Sequence, residues 1–391
     1  MQTGDQILVK KINKSIVLQT IQSRSPISRA QISKDSGLNK ATVSALVSEL
    51  MEENFVQEIG TGLSSGGRKP VMLYFNKTAG YSIGIDLGVN YILAVLTDLQ
   101  GNVVEQVEEK LEETSTAYVF PRLKKTVNAL MEKGSASPYG IVGIGVGVPG
   151  ITDKDGMILF APNLNWERVD LKRYLEDEYN LPVVIENEAK AGAHGEKIYG
   201  AGKESSDLIY VSMGIGIGTG IIINDKLYKG ASGISGEMGH FTIEANGKKC
   251  RCGNKGCWEL YSSESALLEQ ARSLSSVKSK LLTLEGLIKE AEDGNTEVIN
   301  LFNQIGEYAG IGLTNVINTF NPEQIIIGNR FSKLQKWLTN PIQHVLEQRL
   351  LPYYHDSLNI SFSHFGIHSS ALGSAAFSVE AFFSENKVTV S

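Results

Sequence analysis

The apolar positions of this chain change period along its length. From residue 5 to 24 they fall at Ile7, Leu8, Ile12, Ile16, Val17, Leu18 and Ile21, which predicts a helix. In SPISRAQISKDSGLNKATVSALVSELMEENFV, Ser28 and Gln31 form a capping box and Ile27 with Ile32 the matching staple. A short helix is therefore expected to start at Ser28 and stop at Gly37. A second helix begins near Asn39 and buries Val43, Leu46, Val47 and Leu50. FVQEIGTGLSSGGRKPVMLYF reads as two strands around a Gly/Ser-rich loop.

From Tyr81 the strand period takes over. YSIGIDLG, YILAVLTD and NVVEQVEE read as a meander, a helix follows from about Ser115 to Lys133, and IVGIGVGVPG is a buried strand. Pro162-Asn163-Leu164-Asn165-Trp166 is turn-rich, PVVIENEAKAGAHGEK passes from strand to helix, and DLIYVSMGIGIGTGIII is two strands about Gly214, Gly216, Gly218 and Gly220. Helices are expected near 264–274, 283–293 and 296–319. The strand QIIIG, another helix, the strand NISFS and a terminal helix SSALGSAAFSVEAFF are read as completing a second lobe.

Two short helices joined by a Gly turn make a helix-turn-helix, although an ordinary helical hairpin has the same pattern. The exposed side of the second helix decides between them. Asn39, Lys40, Ala41, Thr42, Ser44, Ala45 and Ser48 are mostly small or hydrogen-bonding, suited to close approach to base edges in a major groove. A plain solvated helix more often carries Glu and Lys there. The following loop carries Arg68 and Lys69, and an arginine on a wing tip can enter a minor groove. All nine residues are candidate DNA contacts.

Charge agrees once it is divided. The net charge of −6 over 391 residues is wrong for a nucleic-acid binder as a whole, but residues 1–77 hold ten Lys/Arg against six Asp/Glu, leaving a head of +4 on a body of −10. No apolar run approaches the roughly 20 residues of a membrane span. MQTGDQILVKKINK has no continuous apolar segment of the kind a signal peptide needs, so a cytoplasmic protein with no membrane partner is expected.

All three cysteines fall between Gly236 and Glu259, in GEMGHFTIEANGKKCRCGNKGCWE. Cys250, Cys252, Cys257 and His240 make a complete tetrahedral donor set for zinc; with no open position, such a site is structural. Gly253 and Gly256 give the backbone freedom a tight ligand loop needs. Three buried free thiols are the plainer reading, which such tight clustering disfavours. A disulfide would leave one cysteine over. Glu237, His240 and Glu259 share this loop and can accept hydrogen bonds from the hydroxyls of a small polyol.

The block E-x-G-H followed by C-x-C-G-x-x-G-C-x-E resembles the ROK family of repressors, open reading frames and kinases. The resemblance implies an α/β chain: an N-terminal winged helix-turn-helix over 1–77, then a two-lobed actin/hexokinase-like ATPase (ribonuclease H-like) body over 78–391. Its lobes would cover about 78–188 and 189–391. It implies a sugar set of Asn163, Asn187, Glu188, Glu237, His240 and Glu259, with His240 giving one ring nitrogen to zinc and the other to a sugar hydroxyl. It likens Asp86-Leu87-Gly88 to the first phosphate loop of the kinases and the Gly214–Gly220 run to the second.

The chain also departs from the kinases of that family. Their base-bearing Asn-Asp is Asn187-Glu188, so Glu188 marks a vestigial base position. Their D-x-G-G-T is Asp86-Leu87-Gly88-Val89-Asn90, and the Gly-Gly beside adenosine is Gly328-Asn329-Arg330. Three parts of the ATP machinery are altered while the sugar set is intact, which implies a sensor and not an enzyme. SPISRA, GLNKATVS and LTNVINTFNP bring the chain nearest to the repressors of that family that answer to xylose. The resemblance thus implies a homodimer on operator double-stranded DNA, released by D-xylose or a related aldose, with structural Zn2+ as cofactor. Two other readings stand beside it: an ATP-dependent sugar kinase with an added DNA-binding domain, and a constitutive architectural DNA binder, which leaves the sugar set without a use.

Overall fold

The computed structural model describes residues 6–61, 70–134, 136–277, 282–351, 353 and 358–385. The head contains α1 (Gln6–Arg24), β1 (Ile27–Ser28), α2 (Arg29–Ser36), α3 (Lys40–Glu52), β2 (Val56–Thr61) and β3 (Val71–Phe75). Ser28 caps α2 by accepting from the Gln31 amide at 3.2 Å, and Gly37 ends it at φ +72°. Only half of the expected capping box forms, because the Gln31 side chain donates to Asp35 at 2.6 Å instead of returning to Ser28. Asn39 caps α3 through the Thr42 amide at 2.8 Å. Val43, Leu46, Val47 and Leu50 are buried as their spacing requires. The strands form one antiparallel sheet in the order β1-β3-β2, a winged helix.

The first lobe is a five-stranded sheet, order β11-β7-β4-β5-β6, from β4 (Tyr81–Leu87), β5 (Tyr91–Asp98), β6 (Val103–Lys110), β7 (Ile141–Val148) and β11 (Val183–Asn187). Helices α4 (Thr116–Gly134) and α5 (Leu171–Tyr179) belong to the same lobe. The turn-rich segment is a small sheet in its own right, β8 (Ile151–Thr152), β9 (Ile158–Ala161) and β10 (Trp166–Val169), and Asn163 lies in the turn between its last two strands.

The second five-stranded sheet has the order β14-β13-β12-β15-β16, built from β12 (Leu208–Met213), β13 (Ile217–Ile223), β14 (Lys226–Leu227), β15 (Gln324–Gly328) and β16 (Asn359–Phe362). Beside it stand α7 (Glu259–Ser262), α8 (Glu264–Ala271), α9 (Leu284–Glu292), α10 (Thr296–Phe320) and α11 (Gln335–Arg349). Trp258, fully buried, joins α10 to the metal loop by donating to the Tyr308 carbonyl at 3.0 Å.

Two helices lie between the sheets. α6 (Glu188–Ile198) packs on β12 and β13, and α12 (His368–Glu385) packs on β4 and β7 and on α6. The glycines of the strands explain how the layers fit. A side chain at Gly145 would collide with the Ser374 carbonyl, and one at Gly220 with the Ala189 carbonyl. The terminal helix therefore corrects its sequence reading: it lies against the first sheet rather than completing the second lobe. Its small residues Ala371, Ser374, Ala375 and Ser378 meet that glycine-rich surface. The Gly214–Gly220 run divides likewise. Gly214 and Gly216 lie in the β12–β13 turn, whereas Gly218 and Gly220 are paired strand residues that admit α6.

The far end of α12 reaches the head. Val379, Phe382 and Phe383 share one core with Val17, Ile21, Leu46, Leu50, Phe55, Phe75 and, from the first lobe, Leu99 and Val142. No helix among the described residues is long and apolar enough to cross a membrane.

Candidate functional site

The metal loop is shaped by its turns. Cys250 donates its amide to the Asn254 carbonyl at 2.8 Å, Gly253 returns to the Cys250 carbonyl at 3.1 Å, and Gly253 and Gly256 adopt φ of +96° and +68°. A side chain on Gly256 would also meet the Glu244 carbonyl, so two constraints demand glycine there. The loop brings one donor atom each from His240, Cys250, Cys252 and Cys257 within 4.8 Å of one another. His240 Nδ1 lies 3.7 Å from Cys250 Sγ, and Cys252 Sγ 3.7 Å from Cys257 Sγ. Four such atoms at this spacing can hold one metal ion. Burial raises the Cys250 thiol above its ordinary range, with Glu259, 3.2 Å away, adding to the rise; a bound dication must displace thiol protons.

Glu259 opens α7 and faces both the metal loop and the β12–β13 turn. Its Oε1 is 3.4 Å from His240 Nδ1, and its Oε2 stands against Gly216. A cleft of about 540 Å3 between the lobes is lined by Val89 and Asn163 on one side and by Ile215, Gly216, Cys250 and Glu259 on the other. Of the expected sugar residues, Asn163 and Glu259 line this cleft. Glu188 and Glu237 belong to an adjoining acid group: Glu237 has His240, Lys190 and Glu259 as charged neighbours, and Glu188 has Asp86 and Glu237.

Asn187 carries a second duty that its sequence did not reveal. Its Oδ1 caps α6 by accepting from the Ala189 and Lys190 amides at 2.9 and 3.2 Å, and its Nδ2 donates to the Gly150 carbonyl at 3.0 Å. One amide N–H remains for a ligand.

Burial disfavours charge on the acid pair at the end of the first sheet. Burial lifts the Asp86 carboxyl to about 6, against the hydrogen bond from Tyr91, which lowers it. Burial, with repulsion from Asp86 and Glu237, lifts Glu188 to about 8. The Tyr91 hydroxyl donates to Asp86 Oδ2 at 2.5 Å, and its ring covers Gly88. The residues likened to a first phosphate loop are therefore covered by a tyrosine. At the second loop, the Asn329 side chain packs on Gly214 and donates to Ser212 at 3.0 Å. Arg330 turns away to Glu264 at 2.6 Å and to Glu285 at 3.1 Å.

In the head, Asn39, Lys40, Ala41, Ser44, Ala45 and Ser48 are exposed along α3 and Thr42 is half-buried. Arg68 and Lys69 lie outside the described residues. Sequence reasoning missed Tyr91, Lys190 and the Lys229–Glu186 ion pair of 2.6 Å. The signal available was a lysine in the first turn of a helix whose other buried residues are Ala, Gly, His194 and Glu196.

A winged helix-turn-helix head on a two-lobed α/β body, with a loop whose four donor atoms can hold a metal ion, defines a transcription factor built on a two-lobed scaffold. Known proteins agree with that class. The ROK family model matches residues 82–381 and a winged helix-turn-helix DNA-binding model residues 13–57. The xylose repressor of Bacillus spizizenii is 47% identical over 382 residues, covering 98% of each chain. That of Caldicellulosiruptor bescii is 42% identical over 376 residues, covering 92% of this chain and 93% of its own. Among solved structures, a ROK family transcriptional regulator homologous to the E. coli MLC protein superposes with a TM-score of 0.81 at 28% identity, covering 97% of this chain and 99% of its own. A ROK family glucokinase from Streptomyces griseus, in complex with glucose and AMPPNP, reaches 0.70 at 28% identity, covering 76% of this chain and 99% of its own. The chain belongs to the ROK family and stands among its transcriptional repressors: it is a sugar-responsive repressor and not an enzyme.

Proposed function

We propose that this repressor binds its operator as a homodimer, that D-xylose releases it, and that it controls xylose-utilisation genes from the cytoplasm. The observation that supports the reading is the cleft between the lobes, lined by Asn163 from one side and Glu259 from the other, while the Tyr91 ring covers Gly88 and the Asn329 side chain packs on Gly214, in the two loops that the family resemblance likens to phosphate loops. The names of the relatives that match over nearly full length supply the choice of xylose. Asn163, Asn187 and Glu188 would meet the sugar from the first lobe, and Glu237, His240 and Glu259 from the second. One Zn2+ on His240, Cys250, Cys252 and Cys257 would fix the loop between the last two acids and take no part in chemistry. With Nδ1 turned toward the sulfurs, His240 keeps Nε2 for a sugar hydroxyl.

Release requires that xylose favour a conformation that DNA disfavours. The head shares its core with the first lobe and with α12, so it travels with them. A sugar bridging the lobes would turn the first lobe against the second. In a dimer joined through its bodies, the two heads would then lose the half-site spacing of the operator. The coupling needed is of the ordinary order of 1–3 kcal/mol, and by linkage the operator weakens xylose binding by the same factor.

The test is an operator titration with and without D-xylose, beside a coupled assay for ADP. Release by xylose with no ADP formed supports the reading. Retention of operator at saturating xylose would overturn the choice of inducer, and steady ADP formation dependent on Glu188 the choice of function.

A further inference from the structure

Lys190 is an unusual residue for its position. It is the third residue of α6, 2% exposed, between the two sheets; the same helix also buries Glu196, but that carboxylate accepts from Ser363 and Ser369. Its ammonium donates one hydrogen bond among the described residues, to the Gly233 carbonyl. An ammonium has three donors, so two remain. A lysine is seldom buried without a counter-charge.

The counter-charges identify its role. Glu186, Glu237 and Lys229 are the charged groups around Lys190. Glu186 is already engaged: Oε2 pairs with Lys229 at 2.6 Å and Oε1 accepts from the Asn187 amide at 2.9 Å. Glu237 receives no side-chain hydrogen bond among the described residues and is solvent-accessible. Lys190 is thus the lysine beside the one acid of this group that is open to a ligand.

The same ammonium fixes the backbone that leads to that acid. Gly233 sits at φ +87° against the Thr152 carbonyl of the small sheet, so its own carbonyl is held between the first lobe and α6. Three residues later the Gly236 carbonyl accepts the Thr219 hydroxyl at 2.6 Å, and Glu237 follows directly. The approach to Glu237 is therefore pinned twice, once by Lys190 and once by Thr219. Asn187, three residues before Lys190, stands on the same side of the first turn of α6.

We propose that Lys190 is a positioning residue of the inter-lobe site: by holding the Gly233 carbonyl it sets the loop that presents Glu237 to the hydroxyls of a neutral sugar. This rests on the reading of the cleft as a xylose site. It adds a residue that acts through Glu237 rather than beside it.

A double-mutant cycle on the full-length, metal-loaded repressor tests it, with xylose affinity measured by calorimetry. K190M and E237Q should each weaken xylose at least about tenfold, the range of a hydrogen bond to a charged group. Together they should weaken it no further than E237Q alone, and K190R should recover most of the loss. Operator affinity without sugar and metal content should stay at the wild-type level. Full additivity of the two changes, or xylose binding by K190M equal to wild type, would overturn the proposal. K190Q replaces K190M in the cycle should the latter not fold. Failure of the wild-type protein to bind xylose would instead strike the reading of the site on which this inference stands.

Discussion

The Tyr139 hydroxyl donates to the Glu53 carbonyl at 2.9 Å. Glu53 is the C-cap of α3, and Tyr139 stands in the loop before β7 of the first lobe. Its ring also stacks on Phe55 at 4.9 Å between centroids and meets Phe382 edge-on at 5.3 Å. Head, first lobe and terminal helix are joined at this one point. Tyr139→Phe should cost about 1 kcal/mol, one hydrogen bond, and Tyr139→Ala about 2–4 kcal/mol, both read from urea unfolding. Tyr139→Ala should also reduce the xylose-dependent change in operator affinity. An alanine variant with unaltered stability and response would show that the seam carries neither.

Metal analysis of protein purified without chelator should give one zinc per chain. Cys252→Ser should lose that ion, although Cys252 is the exposed ligand, because three donors hold zinc far less well than four. Xylose affinity should fall with it, while the head keeps its fold, since none of its core residues touches the loop. Absence of zinc from the wild-type protein would be decisive against the assignment.

Asn187→Ala removes the α6 cap, the bond to the Gly150 carbonyl and the remaining amide N–H at once. The lost α6 cap should cost about 1 kcal/mol, and the lost amide should abolish the response to xylose. Asn187→Asp keeps the capping oxygen but sets its other oxygen against the Gly150 carbonyl, so it should lose stability as well as xylose affinity. Should the aspartate variant respond fully, the amide serves only the fold.

The pH dependence follows from Glu188. Its folded carboxyl is raised from 4.5 to about 8, so the folded state holds its proton longer than the unfolded chain does. The stability this proton gives is complete below about pH 4.5 and is lost as pH rises toward 8. Glu188→Gln cannot ionise, so its melting temperature relative to wild type should climb across that window and level off above it. A constant difference from pH 4.5 to 8.5 would contradict the shift.

Lys40→Ala should lower operator affinity for all sequences and reduce the slope of log affinity against log salt by about 0.9, one phosphate contact. Ser44→Ala should instead change preference between base-pair variants with little change in slope. Equal slopes for wild type and Lys40→Ala would remove Lys40 from the phosphate contacts.

Much of this was legible in the sequence because it is local. The helix periods of α1 and α3, the Ser28 and Asn39 caps, the Gly37 stop and the spacing of the metal ligands all act over ten to twenty residues. Over that range side-chain periodicity and turn chemistry dictate geometry directly. What sequence could not assign depends on residues far apart in the chain. Gly145 is needed because Ser374 lies over it, and Gly220 because Ala189 does. Tyr139 matters because Glu53 ends beside it, and Lys190 because the Gly233 carbonyl and Glu237 converge on it. A glycine in a strand, a tyrosine in a loop or a lysine on a helix has the same local pattern whether it packs, binds or faces water. Only the layering of sheet, helix, helix and sheet decides which, because close packing lets a backbone contact form only where the opposing residue has no side chain, and lets a charge remain buried only where another meets it.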